Sequence, residues 1–146
     1  MRAAPRSDWP HFCTIATRWM DNDVYGHVNN VQYYSYFDTA VNQFLIERGV
    51  LDIHKGEIVG FVVDSGCSYF SPIAFPDQVH VGIRVAKLGN SSVRYQIGIY
   101  RNDDPAPAAV GHFVHVYVER SSNLAVPIPA SVRRVLETIR TQPASS

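Results

Sequence analysis

A basic surplus is missing from this chain. Thirteen Lys and Arg stand against thirteen Asp and Glu, for a formal net charge of zero. A nucleic-acid-binding face ordinarily carries a basic excess or stripe, so that class of partner is not expected. Zero net charge also leaves little repulsion between copies, which keeps self-association open. Cysteine is scarce as well, with Cys13 and Cys67 alone. One disulfide is arithmetically possible. Small secreted domains usually carry more cysteine, so reduced, buried thiols in a cytoplasmic protein are the expected reading. No apolar run approaches the ~20 residues needed to cross a bilayer. Residues 1–10 are polar, with two prolines, and lack the apolar centre of a signal peptide. No membrane association is expected, and the lead-in reads as loose.

Several catalytic signatures are also absent. The chain contains no Gly-x-Ser-x-Gly elbow, no P-loop and no dinucleotide-binding glycine fingerprint. His112 and His115 are three apart on a strand-like segment, which sets them on opposite faces and makes them a poor metal pair. No cysteine pair has zinc-ligand spacing. None of these chemistries is expected.

What the chain does have is length and apolar content enough for a core: 146 residues, 46% hydrophobic. That suits a single domain over 1–146. Residues 11–19 alternate, with Cys13, Ile15, Thr17 and Trp19 on one side, and predict a first strand. A helix is predicted over 30–48, N-capped by Asn29, with Gln32 completing a capping-box pair and Gly49 supplying the stop. Val31, Tyr34, Val41 and Leu45 share one helical face. Tyr33, Phe37, Ala40 and Phe44 share the next, so the helix is expected to be buried over most of its circumference. Residues 58–71 are β-rich, with Gly60 and Gly66 marking places for a bend or bulge. Three alternating segments follow, near 79–86, 92–99 and 110–119, joined by turns that favour antiparallel hairpins. Residues 130–140 carry apolar residues at helical spacing, and the tail from 141 is expected to be loose. The fold class is therefore α+β. One antiparallel sheet, β-α-β-β-β-β, wraps a long helix, and a short C-terminal helix follows.

The junction at 18–37 departs from this scaffold pattern. Asp21, Asp23, Gly26, His27, Asn29 and Asn30 crowd the point where a strand gives way to the long helix. A helix N-terminus collects unpaired N–H groups and the positive end of the macrodipole, so it stabilises negative charge. A carboxylate facing such an end suits acyl transfer. The amides polarise a carbonyl, and the carboxylate attacks it or activates a water. Gly26 permits a close backbone approach. The competing structural readings are plain ones. Asp23 can bond loop amides, Asp21 can be purely structural, His27 can be a satisfied loop histidine, and Asn29 can be only a cap. Tyr33, Tyr34 and Tyr36 can be packing residues. Asp64, inside an apolar strand, must point outward or have a partner.

The run Asp-x-Asp-x-x-Gly-His-Val-Asn-Asn-x-x-Tyr at 21–33, followed by a buried helix and four strands, resembles the hotdog-fold acyl thioesterases of the 4-hydroxybenzoyl-CoA thioesterase type. The resemblance spans about residues 11–120. Its Gly-His-Val-Asn-Asn segment is also similar to the acyl-carrier-protein thioesterases of plants. The resemblance implies a hotdog fold and an acyl-CoA thioesterase. Asp23 would be its catalytic carboxylate, with the oxyanion held near Asn30 and His27 at the thioester. Gly26, Val28, Asn29 and Tyr33 would contact substrate. Asp38, Asp64 and Ser68 are candidates for a second polar group, and Tyr33, Tyr36, Phe37 and Tyr69 for an acyl pocket. It further implies an acyl-CoA or acyl-carrier-protein partner, no cofactor, and a homodimer or dimer of dimers (a homotetramer) with sites at the subunit interface. A non-catalytic acyl-CoA-binding or regulatory module is the alternative function. A dehydratase of the same fold is a third.

Overall fold

The computed structural model describes residues 5–51 and 57–141. Apart from Thr141, the tail expected to be loose lies outside them. Five strands form one antiparallel sheet: β1 (His11–Ala16), β2 (Ile58–Tyr69), β3 (Gln78–Leu88), β4 (Ser92–Arg101) and β5 (Ala109–Glu119). Their spatial order is β1-β3-β4-β5-β2. The long helix α1 (Asn30–Glu47) follows β1, and a short helix α2 (Ala130–Glu137) follows β5. This is the expected hotdog arrangement.

Strand alternation builds the core. Val79, Val81, Ile83 and Val85 of β3 and Val93, Tyr95, Ile97 and Ile99 of β4 are fully buried, because a period of two sends them all to one face. Across from them α1 buries Tyr33, Tyr36, Phe37, Ala40, Val41, Phe44 and Leu45. Helix and sheet approach closely at Gly111, where a Cβ would stand 2.5 Å from Phe37 Cζ. Gly49, at φ +73°, ends the helix as expected.

Burial around most of the α1 circumference is not what one chain provides. Val31 is 70% exposed, and Ser35, Asp38 and Thr39 also face solvent. The sheet covers one side of a helix only, so the remaining arc stays open. The capping prediction needs a correction too. Asn29 Oδ1 accepts the Val31 N–H at 3.0 Å, but the reciprocal partner is not Gln32. The Asn29 N–H donates to the Asp21 carbonyl at 2.9 Å, while Gln32 engages Asn29 only through its backbone N–H.

At the other end of the chain order, β1 stops at Ala16, because residues 19–21 coil into a 3-10 turn. The lead-in is not loose over its described part. Trp9 is 5% exposed and lies over Gly82 and Gly98 on the sheet's outer face, with Nε1–H donating to Tyr100 Oη at 2.7 Å. Strand β2 pairs only with β5, which leaves its other edge open. Its register shifts at Val63, between the two glycines and not at either. Gly60 and Gly66 instead make room for rings: a Cβ at residue 66 would stand 2.5 Å from His112 Cε1, and one at residue 60 would stand 3.0 Å from His115 Nδ1. Cys13 and Cys67 are both free thiols.

Candidate active site

The turn before α1 is built from its own acids. Asp21 is 1% exposed. Its carboxylate accepts the Arg18 N–H at 2.9 Å, two guanidinium N–H groups of Arg18 at 3.0 and 2.9 Å, and the Tyr36 hydroxyl at 3.0 Å. Burial favours the neutral acid, but these hydrogen bonds and the Arg18 charge outweigh it and hold the carboxyl below its ordinary range. Asp21 is thus the clamp that ties the loop to α1, and it has no oxygen to spare for chemistry. The same contact explains why Tyr36 turns inward.

Asp23 is held differently. Its N–H donates to the His27 carbonyl at 2.8 Å and its carbonyl accepts the Gly26 N–H at 3.1 Å. This closes a five-residue turn in which Gly26 takes φ +82°, a conformation that side-chain-bearing residues avoid. Oδ1 of Asp23 accepts the Tyr25 N–H at 2.9 Å. Its Oδ2 has no hydrogen-bond partner among the described residues. The loop-amide role and an available carboxylate oxygen therefore coexist on one side chain. Val28, 4% exposed, then anchors the turn through its N–H to the Ile73 carbonyl at 2.7 Å.

These pieces meet in a pocket of about 500 Å³ lined by Asp23, His27, Val28, Asn30 and Tyr33, among others. The Asn30 N–H opens α1 and has no partner among the described residues. The Val31 and Gln32 amides are already taken by Asn29. Tyr33 packs edge-on against Tyr69 with centroids 4.9 Å apart. Burial, aided by Cys67, pushes the Tyr33 hydroxyl up to about 12, so it stays protonated at neutral pH. The opposite wall comes from residues 69–72 at the end of β2. Tyr69 lines this wall beside Tyr33. Phe70, Ser71 and Pro72 carry no motif, and only the pairing of β2 with β5 brings them here.

Other candidates lie elsewhere within the chain. Gly26 borders a neighbouring depression with Trp19, Met20 and Val24, separated from the pocket by Asp23. Asn29 serves as the cap. Phe37 is wholly buried against the sheet, and Tyr36 is bound to Asp21. Asp64 is on the sheet's outer face, with Oδ2 3.2 Å from His112 Nε2, so both expectations for it, outward and partnered, hold. Ser68 lies on that face too, opposite Val110. Asp38, exposed on α1, accepts an N–H from the Asn42 amide at 3.0 Å. One chain therefore does not bring Asp38, Asp64 or Ser68 to the Asp23 pocket. His112 and His115 face opposite ways, as the strand period requires. Among the described residues, no three His, Cys, Asp or Glu side chains are grouped to hold a metal ion.

The model of the thioesterase-like superfamily matches residues 17–136. The chain belongs to that superfamily. The match begins before Asp21 and runs through most of α2, so it takes in the whole site. The crystal structure of the PA5185 protein of Pseudomonas aeruginosa PAO1 is 52% identical, with a TM-score of 0.92 over 94% of this chain and 96% of that one. A thioesterase from Thermus thermophilus, solved with coenzyme A and Zn, is 30% identical, with a TM-score of 0.76 over 93% of this chain and 98% of that one. YsmA of Bacillus subtilis is 22% identical over 121 residues, 83% of this chain and 81% of that protein. Among the described residues, no helix of this superfamily member is long and apolar enough to cross a membrane.

Proposed function

We propose that this protein is an acyl-CoA thioesterase that hydrolyses the thioester at the N-terminus of α1. One observation carries the reading. The unpartnered Oδ2 of Asp23 and the unpartnered N–H of Asn30 belong to residues that line the same pocket. A thioester carbonyl placed there would direct its oxygen at the Asn30 amide, where the helix dipole favours the charge that develops. Asp23 would attack the carbonyl carbon or take a proton from the water that does. The coenzyme A thiolate then leaves and is protonated, and where Asp23 itself attacked, water hydrolyses the acyl-aspartyl anhydride, releasing the acid and restoring the carboxylate. The Tyr25 N–H on Oδ1 fixes the carboxylate's rotamer. His27, Gly26, Val28 and Asn29 border or brace the site, and Tyr33 with Tyr69 presents an aromatic wall to the acyl group. Superfamily membership supports thioester hydrolysis in general. The coenzyme A bound to the Thermus relative favours a coenzyme A thioester over an acyl-carrier-protein one.

The open edge of β2 supports a homodimer or dimer of dimers. That strand exposes Phe61 at 61% and Val63 at 53%, and Val31 of α1 stands open at 70%. Exposed apolar strand edges of this kind are normally paired or covered. Pairing two β2 edges would extend the sheet and supply a second wall to each site. Light scattering giving a monomer at micromolar concentration would rule this out.

The Tyr25 contact also favours a second reading, a binding module in which Asp23 serves only its turn. Turnover of a panel of aromatic and aliphatic acyl-CoAs decides between the two. The enzyme releases free thiol from at least one member. Tight binding across the panel with no thiol release identifies the module.

A further inference from the structure

A cavity of about 670 Å³ opens between the C-terminal half of α1, the start of β2, β5 and the beginning of α2. It shares no lining residue with the Asp23 pocket. Much of its wall is apolar, with Leu45, Ile46, Val50, Leu51 and Val132. Its size is in the range of sites that enclose compact organic molecules. Asp38 and Arg120 also line it, and their opposite charges give no net pull on an ion.

Gly60 and His115 bring polarity to this wall. His115 is 4% exposed, and neither ring nitrogen has a hydrogen-bond partner among the described residues. Nε2 is sealed from solvent. Nδ1 faces Gly60, where a Cβ would stand only 3.0 Å away. Glycine leaves that space open, and both residues border the cavity, so Nδ1 looks into it. A sealed N–H with no acceptor is costlier than a sealed lone pair, which puts the imidazole proton on Nδ1.

We propose that this cavity binds compact, mainly apolar molecules through one neutral oxygen, a hydroxyl or carbonyl, that accepts a hydrogen bond from His115 Nδ1 in the space left by Gly60. Burial lowers the His115 pKa to about 4, so the ring is uncharged at neutral pH and offers a carboxylate no ionic attraction. The proposal does not depend on thioester hydrolysis elsewhere in the chain.

Phenol and toluene probe it, since they are similar in shape and differ by one hydroxyl. The full chain, labelled with isotopic histidine, is titrated with each and followed by NMR of the imidazole signals. Phenol shifts the His115 ring signals saturably, and binds tighter than toluene by about fivefold or more, the worth of one neutral hydrogen bond. Gly60→Ala, whose Cβ takes the oxygen's place, weakens phenol by a similar factor and leaves the protein folded. His115→Phe abolishes the preference for phenol. Equal affinity for the two probes in the wild type overturns the proposal. So does an absence of saturable phenol binding, or phenol binding that leaves the His115 signals unmoved.

Discussion

Acid should unfold this protein through His115. The imidazole lies between the rings of Tyr95 and Phe113, with centroids 5.4 and 4.7 Å away. Burial lowers its pKa from the ordinary 6.5 to about 4, with the Asp38 charge opposing the shift. The unfolded chain therefore takes up a proton that the folded chain refuses across that window. Stability from this group is intact above pH 6.5. It declines as pH falls toward 4, and the loss is complete below the folded value. At about 1.4 kcal/mol per pH unit, the gap from 6.5 to about 4 amounts to about 3 kcal/mol. Urea unfolding followed by tryptophan fluorescence, at fixed protein concentration and stepped from neutral pH down to about pH 4, reads this directly. Wild type is compared with His115→Phe, which keeps an aromatic ring in the site and cannot titrate. Carboxylates shared by both proteins cancel in the comparison. Wild type loses about 3 kcal/mol relative to the variant across the range. Parallel stability curves for the two proteins refute the reasoning.

Three further outcomes follow from the loop and the outer face. Asn29→Ala removes the cap, costs about 1 kcal/mol in thermal or urea unfolding, and lowers kcat by loosening the Asn30 amide. Asn29→Asp restores both. Asp21→Asn weakens a buried, charge-assisted network and costs about 2 kcal/mol, discounted from a fully buried pair because Arg18 is 61% exposed. Because the Asp21 pKa is depressed, the wild-type advantage is present above its ordinary value of 3.8 and fades as pH falls through the lower folded value. Unfolding of both proteins at stepped acid pH checks that sign. Gly98→Ala drives a Cβ into the Trp9 indole, displaces that ring at a cost of about 1–3 kcal/mol, and shifts the tryptophan emission toward that of an exposed indole.

Local features were readable from the sequence because local spacing determines them. The Asn29 cap, the Gly49 stop and the strand alternation of β3, β4 and β5 depend on neighbours a few residues away. The opposite orientations of His112 and His115 follow from the strand period alone. Long-range pairing is different. Nothing near residue 60 says that β2 joins β5 instead of its sequence neighbour β3, and that choice decides which residues wall the site. Phe70, Ser71 and Pro72 are therefore silent in the sequence although they wall the pocket beside Tyr69. The same pairing reassigns Gly60 and Gly66 from bulge markers to gaps for His115 and His112. Tyr36 was readable as a core residue, but its bond to Asp21 spans the loop and the helix and has no spacing signature. Val31 fits an apolar helical stripe and yet stands in solvent, because the stripe is wider than the face one sheet can cover.

The most direct test of the central claim is the kcat of Asp23→Asn on the best acyl-CoA substrate, taken with its melting temperature and its affinity for the same thioester. The amide keeps an oxygen for the Tyr25 N–H, so the turn, the stability and the affinity should persist. Loss of the carboxylate should lower kcat by about a hundredfold or more. A variant that folds, binds and turns over as wild type does would contradict the assignment of the chemistry to Asp23.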